Sequence, residues 1–189
     1  PWVRPHGFPG LRQRHWWPCS SMSGGGLRDM ADMLDDVSRE TRRQLELLVE
    51  TLERWQKAIN LVGKTTLESV WKRHIVDSAQ VVPLIPAQAR TLADLGSGGG
   101  FPGLVIAAMR PDLDITMIES DARKAAFLGE ASRKMGLAKP PKLVIKRIEV
   151  APPAHAEVVT ARALAPLTQL LEWSDRHRMD TAICLFHKG

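Results

Sequence analysis

Residues 94–103 read Asp-Leu-Gly-Ser-Gly-Gly-Gly-Phe-Pro-Gly, "DLGSGGGFPG", with five glycines in ten positions directly after the short run "RTLA" (90–93). Glycines at 96, 98 and 100 let the chain turn sharply and let its backbone approach a ligand without a side chain between them. Three ligands compete for such a loop. A phosphate-binding P-loop requires a Lys-Ser/Thr pair after the glycines, and Phe101-Pro102 stands there instead, so that reading is discarded. A nicotinamide or flavin site is harder to exclude: Gly96, Gly98 and a later glycine approximate GxGxxG, and Glu119 lies where a ribose-binding acid belongs. The third ligand, S-adenosylmethionine, has no phosphate and joins an adenosine to a zwitterionic methionine part at a sulfonium. Asp94 would set an acid near that cationic half, and Glu119 can accept hydrogen bonds from both ribose hydroxyls. The two acids favour a methyl-donor site over a hydride-donor site and leave both open.

Downstream of the loop the pattern alternates between strand and helix. "RTLADL" reads as a strand, and Pro102 fits the first helical position of "PGLVIAAMR". "LDITMIES" reads as the next strand, followed by a helix from Asp121 to Met135 closed by Gly136. "PKLVIK" and "AEVVTA" read as strands, "PLTQLLEWSDRH" as a helix opened by Pro166, and "TAICLF" as a last strand. Such alternation predicts an α/β fold, a Rossmann-like, mostly parallel sheet with helices on both faces. Its ligands sit at the carboxyl ends of the strands where strand order reverses, which is the place of the glycine loop.

Upstream, Leu45, Leu48, Leu52, Trp55 and Ile59 recur at helical spacing, with Asp35, Asp36 and Glu40 near the positive end of the helix dipole. The spacing predicts an amphipathic helix from about Asp35 to about Asn60. Thr65 and Glu68 match a capping box for a second helix, "LESVWKRHIVDSAQVV", which Pro83 and Pro86 end. On that helix Arg73 and Asp77 are four apart, as are His74 and Ser78, so these polar residues share a face while Val70, Ile75 and Val82 turn inward. A surface ion pair worth under about 1 kcal/mol would account for Arg73 and Asp77 equally well. The predicted organisation is a disordered or non-native extension over 1–34, a helical cap over 35–86 and a Rossmann-like core over 87–189.

Composition limits the function classes. The chain of 189 residues has 44% hydrophobic and 25% charged residues, ordinary for a soluble domain. No window approaches the roughly 18 apolar residues of a membrane span, and no secretory signal opens the chain, so a cytoplasmic protein with no membrane partner is expected. Cys19 and Cys184 are far apart, and no Cys/His spacing suits a metal, so none is expected. The net charge is +5, but residues 1–21 hold Arg4, Arg12 and Arg14 and no acid, leaving +2 for the rest. Charge alone therefore does not argue for nucleic acid. That opening segment, with four prolines and three tryptophans, reads as disorder, as sequence ahead of a start at Met22, Met30 or Met33, or as an RNA-stacking arm.

Five linked stretches carry a resemblance. "INLVGKT", "RHIVDS", "DLGSGGGFPGLVIA", "MIESDARKAAFL" and "TARALAPL" together resemble the bacterial 16S ribosomal RNA guanine-N7 methyltransferases, the family once named for glucose-inhibited division protein B. The resemblance runs from about residue 40 to Gly189 and implies a class I S-adenosylmethionine-dependent methyltransferase fold. It implies that Gly96, Ser97, Gly98, Gly100 and Phe101 line the cofactor loop beside Asp94 and that Glu119 binds the ribose. Ile148 and Glu149 match the position that meets the adenine, although core packing and a solvated charge would explain them otherwise. Arg162 matches an arginine beside the methyl-transfer site. Asn60, Arg73, His74 and Asp77 are implied to shape the pocket and hold the guanine, and Lys188 to stand close by.

This chemistry needs no catalytic dyad. Guanine N7 carries a lone pair and no proton, so attack on a sulfonium methyl calls for alignment rather than a general base. Arg162 is then an orienter of cofactor or RNA phosphate. The RNA must offer an accessible guanine edge, as a single-stranded or distorted loop does. Lys64, Arg73, Arg123, Lys124 and Lys188 are the phosphate contacts expected nearest the cleft. Lys57, Lys72, Arg133, Lys134, Lys139, Lys142, Lys146 and Arg147 read as ordinary solvated surface. The implied partner is 16S rRNA in the small ribosomal subunit, met by a monomer. A cofactor-binding ribosome chaperone without catalysis is the alternative outside enzymology. Folds of this class usually have seven strands and five are legible here, so the C-terminal strands are expected to be missing. An exposed sheet edge and weak or no activity would follow.

Overall fold

The structure, a computed structural model, describes residues 37–63 and 67–187. The extension over 1–34, Lys64, the Thr65 capping box and Lys188 lie outside the described residues.

Helix α1 (Arg39–Gln56) starts where Ser38 accepts the N–H of Thr41, with Glu40 in its first turn. Leu45, Leu48 and Leu52 are fully buried, and Trp55 and Ile59 pack partly buried against the same cluster. The helix ends at Gln56 rather than near Asn60. The Gln56 side chain itself offers the chain another arrangement: Nε2 donates to Val62 O at 2.8 Å, and Oε1 accepts the N–H groups of Leu61 and Val62 at 2.9 and 3.1 Å.

The second cap segment is not the single amphipathic helix that its spacing predicts. Trp71–Val76 form a π-helical turn, Asp77–Ala79 continue as α-helix, and Val82–Leu84 form a 3₁₀ turn around Pro83. A π turn carries one extra residue, which rotates the side chains away from the i, i+4 register. His74 and Ser78 are consequently buried beside Ile75 and Val76 instead of forming an outer polar face, and Arg73 and Asp77 form no ion pair among the described residues.

The core alternates as predicted. Strands β1 (Thr91–Leu95), β2 (Asp114–Ile118), β3 (Lys142–Val144), β4 (Ala156–Arg162) and β5 (Arg178–His187) form one parallel sheet in the order β3-β2-β1-β4-β5. Helices α2 (Gly103–Met109), α3 (Ala122–Met135) and α4 (Leu167–Asp175) connect them. Strand β1 is buried from Leu92 to Leu95, as the middle of a sheet covered on both faces requires. Asp121 caps α3 by accepting the N–H groups of Arg123 and Lys124, and Gly136 closes it in the left-handed conformation. Pro102 and Pro166 are N-caps rather than first helical residues, so both helices begin one residue later than predicted. Strand β5 begins three residues before "TAICLF".

One apolar cluster joins α1, the cap turn, α2 and α3 to one face of the sheet, and a second places Leu170 of α4 against the other. Cap and core thus share a continuous interior. Their outer seam is held by Glu130 on α3, which pairs with Arg54 and accepts Trp55 Nε1–H at 3.0 Å.

Candidate active site

The sheet order reverses between β1 and β4, and the loops after these strands border two adjoining clefts of about 420 and 430 Å³. Gly96, Gly98, Arg162 and Ala163 line both. The first cleft adds Glu119, Lys124, Ile148, Glu149 and Trp173; the second adds Leu61, Arg73, His74, Asp77, Ser97 and Phe101.

The glycine loop is built for close approach. Gly96 has φ +64°, which strains any L side chain, and a Cβ there would lie 2.5 Å from Leu164 Cδ1, so Leu164 would have to move to admit one. At Gly98, φ +49°, an added Cβ would meet only Gly96 O at 3.7 Å and would otherwise occupy the cleft that Gly98 lines. Glu119, buried at the end of β2, holds the loop by accepting Gly98 N–H and Asp121 N–H, each at 2.8 Å. A carboxylate has about four lone-pair sites, so both oxygens keep capacity for hydroxyl donors. Ile148 and Glu149 form a 3₁₀ turn at the same cleft, fixed from behind by His177, which is fully buried and donates Nε2–H to Ile148 O at 2.9 Å.

Asp94 does not reach either cleft wall. It lies buried beneath the loop, where Oδ1 accepts the Thr160 hydroxyl at 2.8 Å and Oδ2 has no hydrogen-bond partner. Burial pushes its carboxyl up to about 6, against the pull of the Thr160 hydroxyl. Ser97 donates from Oγ to Asp94 O at 3.1 Å and tightens the same turn.

Arg162 joins the two clefts. Its Nη2 donates to His74 Nδ1 at 2.8 Å, its Nη1 to Arg73 O at 3.4 Å, and its guanidinium lies 4.9 Å from the centre of the Phe101 ring. His74 stacks on Phe101 as well, at 5.0 Å and 21°. Burial, with the charges of Arg162 and Arg73, lowers the His74 pKa to about 4, so the imidazole is neutral near neutral pH and its Nδ1 is free of a proton to accept from Arg162. Burial lowers the pKa of Arg162, and the nearby Asp77 and Asp94 carboxylates only partly offset it.

The predicted residues therefore meet in two groups. Glu119, Ile148 and Glu149 gather at the first cleft and Arg73, His74, Asp77, Ser97 and Phe101 at the second, with Gly96, Gly98 and Arg162 shared. Gly100 supports from behind: its φ is +85° and a Cβ would meet Leu104 Cδ1 at 2.6 Å. Asn60 is exposed and borders a hollow with Leu61, Val62 and Gly63, which also line the second cleft, so it stands beside that cleft without lining it. Sequence reasoning missed Gln56 and His177, whose roles depend on distant backbone, and Ala163, whose φ of +48° no residue type announces. Among the described residues no His/Cys/Asp/Glu group is arranged to hold a metal.

The family profile GidB, rRNA small subunit methyltransferase G, matches residues 41–189. A relative of the same name from Paramagnetospirillum magneticum is 52% identical over 153 residues, covering 81% of this chain and 73% of that protein. One from Jannaschia sp. is 48% identical over 159 residues, covering 82% and 74%. Among solved structures, cofactor-bound Rv0187 from MTB aligns with a TM-score of 0.57 at 13% identity, over 87% of this chain and 73% of that one. Coclaurine N-methyltransferase, bound to N-methylheliamine and SAH, gives 0.53 at 15% identity over 84% and 56%. These two share the fold of a class I methyltransferase core. Matched in sequence across both clefts and in fold across the sheet, the chain belongs to the rRNA small subunit methyltransferase G family.

Proposed function

We propose that the protein transfers the methyl group of S-adenosylmethionine to N7 of a guanine in the 16S RNA of the small ribosomal subunit, acting as a cytoplasmic monomer without a metal. One observation carries the proposal: two clefts meet at Gly96, Gly98 and Arg162, so a donor in one and a base in the other would face each other across these residues. The first cleft suits the donor. Glu119 offers acceptors to vicinal hydroxyls, Gly98 leaves the room that a Cβ would fill, and the 3₁₀ turn at Ile148 and Glu149 closes the far side.

When bound, S-adenosylmethionine would supply a sulfonium methyl for attack by the N7 lone pair, the N–CH₃ bond forming as the S–CH₃ electron pair stays on the departing sulfur and no proton is released. The protein's task is alignment and charge. Arg162, fixed on one edge by His74 and on one face by Phe101, forms a rigid wall between the clefts. Positive charge grows on the base, which the Asp77 carboxylate in the second cleft favours, and a neutral His74 adds no repulsion there.

Calorimetric titration with S-adenosylmethionine and, separately, with NAD tests the donor: heat with the sulfonium compound alone is expected, and heat with NAD alone overturns the assignment. Incubation of the full-length protein with radiolabelled donor and undermethylated small subunits tests the acceptor. Label is expected in 16S RNA; label in protein or free nucleotide contradicts the proposal.

A further inference from the structure

The first cleft carries charge that its donor does not need. Lys124, Lys146, Arg147 and Arg162 line it, against Glu119 and Glu149. Arg162 is engaged by His74, and Glu119 by two backbone amides. Lys124, Lys146 and Arg147 form no ion pair among the described residues. The Asp121 carboxylate accepts the amides of Arg123 and Lys124 at 2.8 and 3.2 Å and feels the Lys124 charge only through space, after that of Arg123. S-adenosylmethionine is itself a net cation at neutral pH and carries no phosphate, and the cations lining the cleft outnumber the carboxylates of Glu119 and Glu149, so the surplus opposes its binding. Their presence calls for an anion at the rim.

We infer that Lys124, Lys146 and Arg147 are a phosphate-binding rim over which the single-stranded RNA bearing the target guanine passes, on the β3 side of the cleft. This inference rests on the methyltransferase reading and adds the direction of the strand to it. Lys146 and Arg147 follow β3 after Ile145 and Lys124 lies in the first turn of α3, so the three stand at the ends of neighbouring elements, at one cleft mouth. The surface around them is also partly apolar: Ile145 and Val150, immediately flanking Lys146–Glu149, are 55% and 64% exposed. Phosphate contacts beside uncovered aliphatic side chains suit a single strand with exposed bases and riboses, and a guanine must lie outside a regular A-form duplex for its N7 edge to be reached. A strand anchored there reaches the second cleft by crossing the wall at Arg162.

The rim is tested with a fluorescein-labelled single-stranded RNA dodecamer, titrated at several KCl concentrations in the presence of S-adenosylhomocysteine. The variant K124Q/K146Q/R147Q is compared with R39Q/K57Q/R133Q, which removes the same charge elsewhere. Three lost contacts are expected to weaken RNA binding on the order of 10- to 100-fold at about 0.1 M salt and to reduce the log–log salt slope by roughly 2. The second variant is expected to stay within about 2-fold of the unmodified protein, and S-adenosylmethionine affinity of the rim variant to be unchanged or tighter. Equal RNA losses in both variants, or a rim variant that loses the donor while keeping RNA, overturn the inference. Donor titration into the unmodified protein reads the underlying assignment separately: donor heat without a rim effect overturns the RNA path alone, and absence of donor heat overturns the assignment itself.

Discussion

The Arg162 guanidinium is planar, and the site uses both its plane and its edge: Phe101 lies under the plane and His74 Nδ1 takes the edge. Lysine would keep the charge and lose both contacts. Arg162→Lys is expected to lower kcat/KM roughly 100-fold with the thermal midpoint nearly unchanged; an unaltered kcat/KM would show that charge alone suffices. His74 sets a pH signature. Its pKa is about 4 in the folded chain against an ordinary 6.5, so between these values the unfolded chain binds a proton that the folded one refuses. Stability from the neutral His74 is complete above pH 6.5 and is lost as pH falls toward 4, at most about 3 kcal/mol. Asp94 acts oppositely: raised to about 6, it makes the folded chain the better proton holder below that value, and stability falls as it ionises. Because the two contributions oppose each other over nearly the same range, His74→Gln should make the slope of unfolding free energy against pH more negative between about 4 and 6.5, where the Asp94 contribution is left alone, as read by denaturant titration; an unchanged slope would contradict the buried neutral imidazole. At this scale the glycines and Glu119 were legible because loop chemistry restricts residue type. The 88-residue separation between Arg162 and His74 hid their contact.

Among the elements, the glycine loop and the chain just after α1 are the two whose shape decides the site. Gly96→Ala must place a methyl where Leu164 lies at 2.5 Å while holding φ at +64°. A loss of about 1–3 kcal/mol is expected from thermal denaturation, together with weaker donor binding; a fully stable variant would mean that the loop re-forms elsewhere. The Gln56 side chain serves three backbone groups of Leu61 and Val62, and Leu61 O would lie 3.1 Å from a Cβ at Gly99, so this clamp presses the cap loop onto the glycine loop. Gln56→Leu is expected to destabilise by about 1–3 kcal/mol and to raise KM for RNA more than for the donor. Equal shifts in both KM values would assign it a purely structural role. Strand and helix alternation was readable because each period is set by local burial. The π turn at Trp71–Val76 was not, since its extra residue answers to packing against Phe101 and Arg162.

For the molecule as a whole, the continuous apolar cluster makes cap and core one cooperative unit. Leu48→Ala in the cap and Leu128→Ala in the core, both at fully buried positions, should each shift a single unfolding transition by about 2–5 kcal/mol. Two separable transitions would make the cap an independent domain, as a division at residue 86 suggests from sequence. Length, alternation and the glycine loop made the sheet predictable, while the way two clefts share Arg162 emerges only when β1 and β4 lie side by side. The most direct measurement is nucleoside mass spectrometry of 16S RNA from undermethylated small subunits after incubation with the full-length protein and S-adenosylmethionine. The account predicts new 7-methylguanosine, about one per subunit, with no other methylated nucleoside gained. Methylation appearing on another base, or none alongside normal donor binding, would contradict it.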